Sequence, residues 1–343
     1  MAKDEFGAPI VIEAAGREVR VTNPNKVFFS KRGETKLDLI RYYLAIEEPL
    51  MATMAGRPTL LQRFPDGAGG KSFYQKRVPK GAPEWLQTTT MSTPNGTTSN
   101  AMVAADVAHL VWAVHMGCLG FHPWPFLAAH PAATDELRID LDPQPGTSFD
   151  MVREVALGVR DLLADLGITS YPKTSGSKGL HIWVRLEPRW DSYDVRRACV
   201  ALAREMERRH PDIATAKWWK EERGERILVD YNQNAPHKTV FGPWSVRSRV
   251  GAQVACPLRW SDVPTVKLDD LTIANVPPMV AERGDPWAGL NDDPQSIEPL
   301  LRMADADADA GLPDAPWPPV YPKMPNEPPR VNPSRRKTDP ATP

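Results

Sequence analysis

The chain has little cysteine, no surplus of charge and no long hydrophobic run. Its three cysteines among 343 residues, Cys118, Cys199 and Cys256, are odd in number and far apart. They offer no CxxC spacing for zinc and no disulfide framework, so a reducing cytoplasm is expected. Lys and Arg total 42 against 43 for Asp and Glu. A bulk nucleic-acid binder carries a basic surplus, so any basic groove here has to be local. The one apolar stretch of membrane-spanning length, residues 110–129, contains His115, His122, Pro123 and Pro125. A buried helix followed by a loop explains it better than a span. Residues 1–5 lead into no apolar segment, which argues against secretion. Neither a P-loop leading into a helix nor an internal repeat is present.

A hydrophobic content of 41% is enough for a core. Residues 10–12 and 19–21 flank an Ala-Ala-Gly-Arg turn and predict an N-terminal hairpin. Residues 37–54 carry helical spacing with Thr35 placed to cap it. Short strands around the turn at 65–70 are expected over 59–76, an exposed Thr/Ser/Asn loop over 88–100, and a second helix over 101–116. The order then sharpens to strand 137–142, helix 149–166, strand 168–173, strand 180–186, helix 192–209 and strand 226–231. That is β-α-β-β-α-β, the split pattern of ferredoxin-like and RNA-recognition-type sheets, with helices on one face and the other face open. From about residue 264 proline and aspartate dominate. From 292 the chain predicts a tail that wraps or stays disordered, with Trp287 and Trp317 as anchors and a basic cluster at Arg335-Arg336-Lys337.

Alternation puts Arg138, Asp140 and Asp142 on one side of the first strand and Leu137, Ile139 and Leu141 on the other. His181, Trp183 and Arg185 of a later strand join the side with the acids. Adjacent carboxylates repel. Either Arg or Lys pairs with them at a sheet edge, or divalent cations held by hard oxygens do. Asp230 ends the apolar run 227–229 and can approach the pair from a neighbouring strand, or it simply closes a turn. Three such acids suit two Mg²⁺ or Mn²⁺ ions about 3.5–4 Å apart, poised over a 3′-hydroxyl and a leaving pyrophosphate. The loop Ser175-Gly176-Ser177-Lys178-Gly179, opening onto His181, reads as a polyphosphate cradle or as a plain hairpin loop. Arg247 offers a bidentate donor for phosphate if it does not merely face solvent. His122 is a structural residue or a site residue on these grounds alone.

Together, Asp140-Leu141-Asp142, the segment from Ser175 to His181, Asp230-Tyr231-Asn232-Gln233 and Ser245-Val246-Arg247 resemble the polymerase domain of bacterial DNA ligase D and its stand-alone relatives. These belong to the archaeo-eukaryotic primase superfamily, and the likeness runs from about residue 22 to about 263. The resemblance implies an α+β primase fold: a catalytic domain over 1–291 and a tail over 292–343. The catalytic domain would divide into an N-terminal α/β subdomain to about 130 and the catalytic sheet at about 131–263. It implies Asp140, Asp142 and Asp230 as ligands of two divalent cations, Mn²⁺ or Mg²⁺. Ser175, Lys178, His181 and Arg247 would bind the incoming triphosphate, Gln233 would join the polar network, and His122 would lie beside nucleotide and primer end. Lys26 and Lys36 match lysines that grip a downstream 5′-phosphate; Phe73 and Tyr74 match a stacking position on the templating side, and Arg63 lies in a further family segment. Stacking of this kind contributes about 1–3 kcal/mol per base.

The implied activity is template-directed addition of ribo- and deoxyribonucleotides at short gaps or broken ends of duplex DNA. Neither a ligase nucleotidyltransferase motif nor a nuclease-like His cluster follows the polymerase region. A monomer working alone or with a separately encoded ligase and an end-binding protein is therefore expected, without a membrane. A catalytically vestigial gap- or end-binding module and a de novo primase are the alternatives. Three converging acids facing a phosphodiester speak against a pure binder.

Overall fold

The computed structural model describes residues 6–92 and 97–318. Strands β1 (Ile10–Ala14) and β2 (Arg17–Val21) form the expected hairpin. It turns through Ala15 and Gly16, at φ of 46° and 70°. A small ladder of β3 (Val27–Phe29) and β4 (Glu34–Thr35) leads into α1 (Lys36–Ala45). Thr35 caps α1 as predicted, its hydroxyl accepting from the Asp38 amide while Asp38 accepts from the Thr35 amide. One helix was expected over 37–54. The structure has two, breaking at Ile46 before α2 (Glu47–Met54), because Pro49 has no N–H to offer the carbonyl one turn back.

The first sheet contains β5 (Arg57–Arg63), β6 (Phe73–Gln75), β7 (Thr88–Ser92) and β8 (Thr98–Ala104) in the order β6-β5-β8-β7. Residues 88–92 and 98–100 are thus paired antiparallel strands rather than an exposed loop: the run of β-branched threonines favours extended backbone over coil. The helix expected from 101 begins later. Residues through Ala104 complete β8, and Asp106 caps α3 (Val107–His115) by accepting from the His109 amide. Strand β9 (Cys118–Pro123) then returns to pair with β5.

The second sheet is built from β10 (Thr134–Pro143), α4 (Phe149–Asp165), β11 (Tyr171–Thr174), β12 (Leu180–Trp190), α5 (Ser192–Arg209), β13 (Ala214–Thr215), α6 (Lys220–Arg223) and β14 (Ile227–Asp230). Its order is β11-β12-β10-β14-β13. The first four places are the split β-α-β-β-α-β arrangement, with β13 added in parallel. Leu137, Ile139, Leu141, Leu180, Ile182 and Val229 are fully buried on the side covered by α4 and α5. The fold is α+β.

The opposite face was expected to be open. It is largely covered, with Arg138 and Trp183 each 1% exposed. A buried ion network accounts for this. The Arg57 Nη1 and Nη2 atoms donate to the Asp135 carboxylate at 2.7 Å each, tying β5 to β10. Glu136 accepts from Arg138 at 2.5 and 2.8 Å and from Arg185 at 3.1 Å. Alternation reported the shared face correctly; it could not report that Arg57 and Pro123 of the first sheet, and Val240, Trp287 and Leu290 from the later chain, cover it.

After β14, the short 3₁₀ turn Tyr231–Asn234 leads through irregular chain to α7 (Val276–Arg283) and α8 (Glu298–Asp309). Residues 292–318 run across the catalytic sheet and along α5. Trp287 and Trp317 are both buried. The Arg335-Arg336-Lys337 cluster lies outside the described residues. Among the described residues no helix is long and apolar enough to cross a membrane.

Candidate active site

Four ionisable side chains form one row across four strands. In the antiparallel ladders Lys173 on β11 opposes His181 on β12, His181 opposes Asp140 on β10, and Asp140 opposes Asp230 on β14. Directly opposed residues share a face, with Cβ atoms about 4.5–5.5 Å apart. Asp142, two residues along β10, shares it too. The His181 Nε2 lies 3.3 Å from Asp140 Oδ1. Asp230 is held by the Asn232 amide and by Gln233 Nε2, both at 2.8 Å. Asp142 accepts from Gln144 Nε2 at 3.3 Å.

Burial, reinforced by the Asp230 and Asp142 carboxylates, pushes the Asp140 pKa up to about 7. Burial and Asp230 raise that of Asp142. Among the described residues no Lys or Arg lies within ion-pairing distance of any of the three; the one such partner is His181, beside Asp140. Burial, then Lys173 and Arg247, depress the His181 pKa, so the ring is neutral and brings no compensating charge. The row is short of positive charge where the acids meet.

Asp140 and His181 form part of the floor of a pocket of about 380 Å³. Arg247 lines it, its Nε donating to the Ser175 carbonyl at 2.6 Å and its guanidinium 3.9 Å from the Phe241 ring centroid. Burial brings the Arg247 pKa down to about 10, which still leaves it charged. His122 lines the same pocket between the edges of Tyr74 and Phe241, with ring centroids 5.9 and 5.1 Å away. Its Nε2 is buried without a hydrogen-bond partner. Burial, then Arg247 and Lys173, lower its pKa to about 3, so this ring too is neutral. Gln233 completes the link from the pocket wall to Asp230.

The Ser175 loop is tightly made. Ser175 Oγ accepts from the Gly179 amide at 3.1 Å and the Ser177 amide at 3.2 Å. Gly176 sits at φ +71°, where a Cβ would come 2.7 Å from Arg247 Cγ. Glycine there lets the loop seat Arg247. Lys178 does not line this pocket: at the exposed tip of the loop, it borders a neighbouring cavity of about 450 Å³ with Pro143, Gln144 and Ser148.

The other residues singled out in the sequence lie in the N-terminal half. Lys36 is buried, with Nζ donating to the Thr22 and His115 carbonyls at 2.7 and 3.2 Å. Burial and the nearby Lys26 lower its pKa to about 8. Lys26 itself pairs with Asp66 at 3.1 Å. Arg63 donates to the Met116 carbonyl and to Gln75, and lies 5.2 Å from the exposed Phe73 ring. Alternation along β6 sends Phe73 and Tyr74 to opposite faces, so only Tyr74 reaches the pocket. Sequence reasoning missed Lys76 and Lys238, which line the pocket, and Lys173. Lys173 was visible as the start of the Ser175 loop; its pairing opposite His181 was not.

Among the described residues no group of three His, Cys, Asp or Glu side chains already encloses a metal position. The donor chemistry nevertheless suits hard divalent cations: three carboxylates on one face, two with pKa values raised by burial and by neighbouring carboxylates, and among the described residues no Lys or Arg in ion-pair contact with them. Asp140, Asp142 and Asp230 would be the holders.

The chain matches the family described as the LigD primase-polymerase domain over residues 35–287. The multifunctional non-homologous end joining DNA repair protein LigD of Mycobacterium tuberculosis is 32% identical over 297 residues, covering 84% of this chain and 39% of that protein. The bifunctional non-homologous end joining protein LigD of Bacillus subtilis is 32% identical over 285 residues, 82% of this chain and 46% of its own length. The chain thus spans less than half of these relatives. Among solved structures, the polymerase domain of Mycobacterium tuberculosis ligase D in complex with DNA superposes with a TM-score of 0.76 at 31% identity, covering 81% of this chain and 99% of that one. With the opposed acids and the basic pocket beside them, these matches make the chain a member of the LigD primase-polymerase domain family, a family of nucleotidyltransferases.

Proposed function

We propose that this protein adds ribonucleotides, and also deoxyribonucleotides, to a primer end at short gaps or breaks in duplex DNA. The observation that carries the reading is the direct opposition of Asp140 and Asp230, with Asp142 alongside, at the edge of a pocket containing Arg247. Mn²⁺ or Mg²⁺ ions held there would lower the pKa of the 3′-hydroxyl and neutralise the triphosphate. Arg247, anchored through Nε, has its terminal nitrogens available for phosphate oxygens. Neutral His122 and His181 can donate hydrogen bonds into the pocket without adding charge. Tyr74 offers an exposed ring on which a base can stack. Ser175 and Lys178 then serve the triphosphate, and Lys178 would act from the outer side of the loop.

The names of the mycobacterial and Bacillus relatives support a role in end joining, and the DNA-bound neighbour supports a duplex substrate. A ligase and an end-binding protein would be partners of this monomeric cytoplasmic enzyme in the repair of a break. Primer extension on labelled gapped DNA, with each sugar type and each cation, tests this reading. Cation-dependent extension is expected. Tight gap binding without any extension would leave the binding-module alternative standing, and synthesis on unprimed single strands would favour the primase.

Lys36 is a buried ammonium with two backbone carbonyls and the Phe28 ring beside it, no carboxylate in ion-pair contact among the described residues and a second lysine nearby, an arrangement suited to an anion. A downstream 5′-phosphate fits it. Lys26→Ala, at the more accessible of the two lysines, is expected to weaken binding to 5′-phosphorylated gaps about five- to tenfold. Binding to gaps lacking that phosphate should be little changed in a fluorescence titration. Equal loss on both substrates would sink the assignment.

A further inference from the structure

The family match ends at residue 287, yet the chain beyond it packs on β12, on α5 and on the turn that follows Asp230. Gln295 pairs with the end of β12, its amide donating to the Arg185 carbonyl at 2.8 Å and its carbonyl accepting from Glu187 at 3.1 Å. Helix α8 then lies along α5 through Arg197–Asp305 and through Asp307, which meets both Arg204 and Arg208. Residues 313–317 finally close over Arg196, a guanidinium only 1% exposed.

Arg196 is a hub. Its Nε donates to Asn232 Oδ1 at 2.8 Å, Nη1 to Asp314 at 3.2 Å, and Nη2 to the Ala315 and Pro316 carbonyls at 2.8 and 3.2 Å. The Trp317 ring stacks on it at 3.8 Å and is itself fixed by Nε1 donating to Asp314 at 2.7 Å. Asn232 is gripped from both sides, since its Nδ2 donates to the Pro316 carbonyl at 3.1 Å. The amide of that same Asn232 donates to Asp230 Oδ1. Two paths therefore run from the terminal segment to the carboxylate: one through Asn232 alone, with two hydrogen bonds, and one through Arg196 and Asn232, with three.

We propose that residues 313–317 are a positioning element of the cation site: through Arg196 and Asn232 they set the orientation in which Asp230 meets its ion. Removing them would uncover the Arg196 guanidinium and leave Asn232 as its one remaining hydrogen-bond partner among the described residues. The 3₁₀ turn 231–234 would lose its outer support, and Asp230 the fixed amide that aims it. Partners behind a ligand typically change metal affinity about 10–100-fold when removed. The inference rests on the proposed role of Asp230 as a metal ligand.

The test is Mn²⁺ binding to the full chain by electron paramagnetic resonance, with thermal melting alongside. Trp317→Ala is expected to weaken Mn²⁺ binding about tenfold, and Trp317→Phe, which keeps the stack on Arg196, to stay within about twofold of the unmodified protein. Should Trp317→Ala not fold, Asp314→Ala, at a side chain 42% exposed, is read in the same titration and is expected to weaken binding severalfold. A lower melting temperature with unchanged Mn²⁺ affinity in these variants overturns the proposal and leaves the segment a plain clamp. An unmodified protein whose Mn²⁺ binding is unaffected by Asp230→Ala contradicts the metal assignment itself, a separate failure.

Discussion

Replacing Asp140 by asparagine is expected to abolish primer extension, by at least about three orders of magnitude, and yet to stabilise the metal-free protein. The folded pKa of Asp140 is about 7, whereas an unfolded aspartate titrates near 3.9. The fold therefore disfavours the ionised form. Through this group stability declines as pH rises from about 4 to about 7 and stays reduced above that. Asparagine has no charge to lose. At pH 8 in chelator the variant is expected to be more stable by about 2 kcal/mol, a few degrees in melting temperature. Added Mn²⁺ should raise the melting temperature of the unmodified protein and leave the variant nearly unmoved. Asp142→Ala is expected to lose extension equally. A less stable Asp140→Asn in chelator, or one that still extends primers, would falsify the carboxylate assignment.

The largest loss of stability is expected at Glu136, whose removal leaves Arg57, Arg138 and Arg185 facing one another around a vacated carboxylate. Breaking a buried ion pair on one side costs about 3–5 kcal/mol, and Glu136→Ala should fall in that range in urea denaturation at pH 7. Despite the burial that opposes ionisation, the three guanidiniums hold the Glu136 pKa down to about 2. The contribution of its charge is complete above about pH 4.5 and is lost as pH falls towards 2. The gap between variant and unmodified protein should accordingly narrow between pH 7 and pH 3. A difference under about 1 kcal/mol at pH 7 would show that the network relaxes around the loss.

The catalytic sheet was legible because its strands alternate cleanly and its long helices are bounded by strong signals. Ser192–Arg209, for example, starts after an Asp191 cap and matches the predicted span. Asp140 and Asp230 were placed on one face from spacing and strand order, and the ladder puts them directly opposite each other. The expectations for 88–104 failed for a physical reason: Thr, Ser and Asn up to residue 100 resemble a loop and the apolar residues from 101 resemble the start of a helix, while pairing with β5 and with each other makes 88–92 and 98–104 strands. The burial of Arg138, Arg185 and Trp183 was illegible too, since Asp135 and Glu136 on β10 are neutralised in part by Arg57 on β5 and Arg185 on β12, which are far away in the sequence. Lys173 belongs to the same class. Its membership of the row depends on which residue of β12 faces it, and strand register between separate segments is not written in either segment alone.

The Arg57 network also has a mechanical side. Arg57 binds Asp135 across the two sheets, Arg185 reaches Asn291, and Asn291 in turn donates to the Ala52 carbonyl at the end of α2. These ties run along the seam from the buried Arg57 pair to the exposed Asn291 contact, and each joins side chains or backbone of different elements. The seam acts as a brace: because Asp135 lies on the strand that also carries Asp140 and Asp142, a change that loosens Arg57 on the first sheet is felt on the strand that holds the acids.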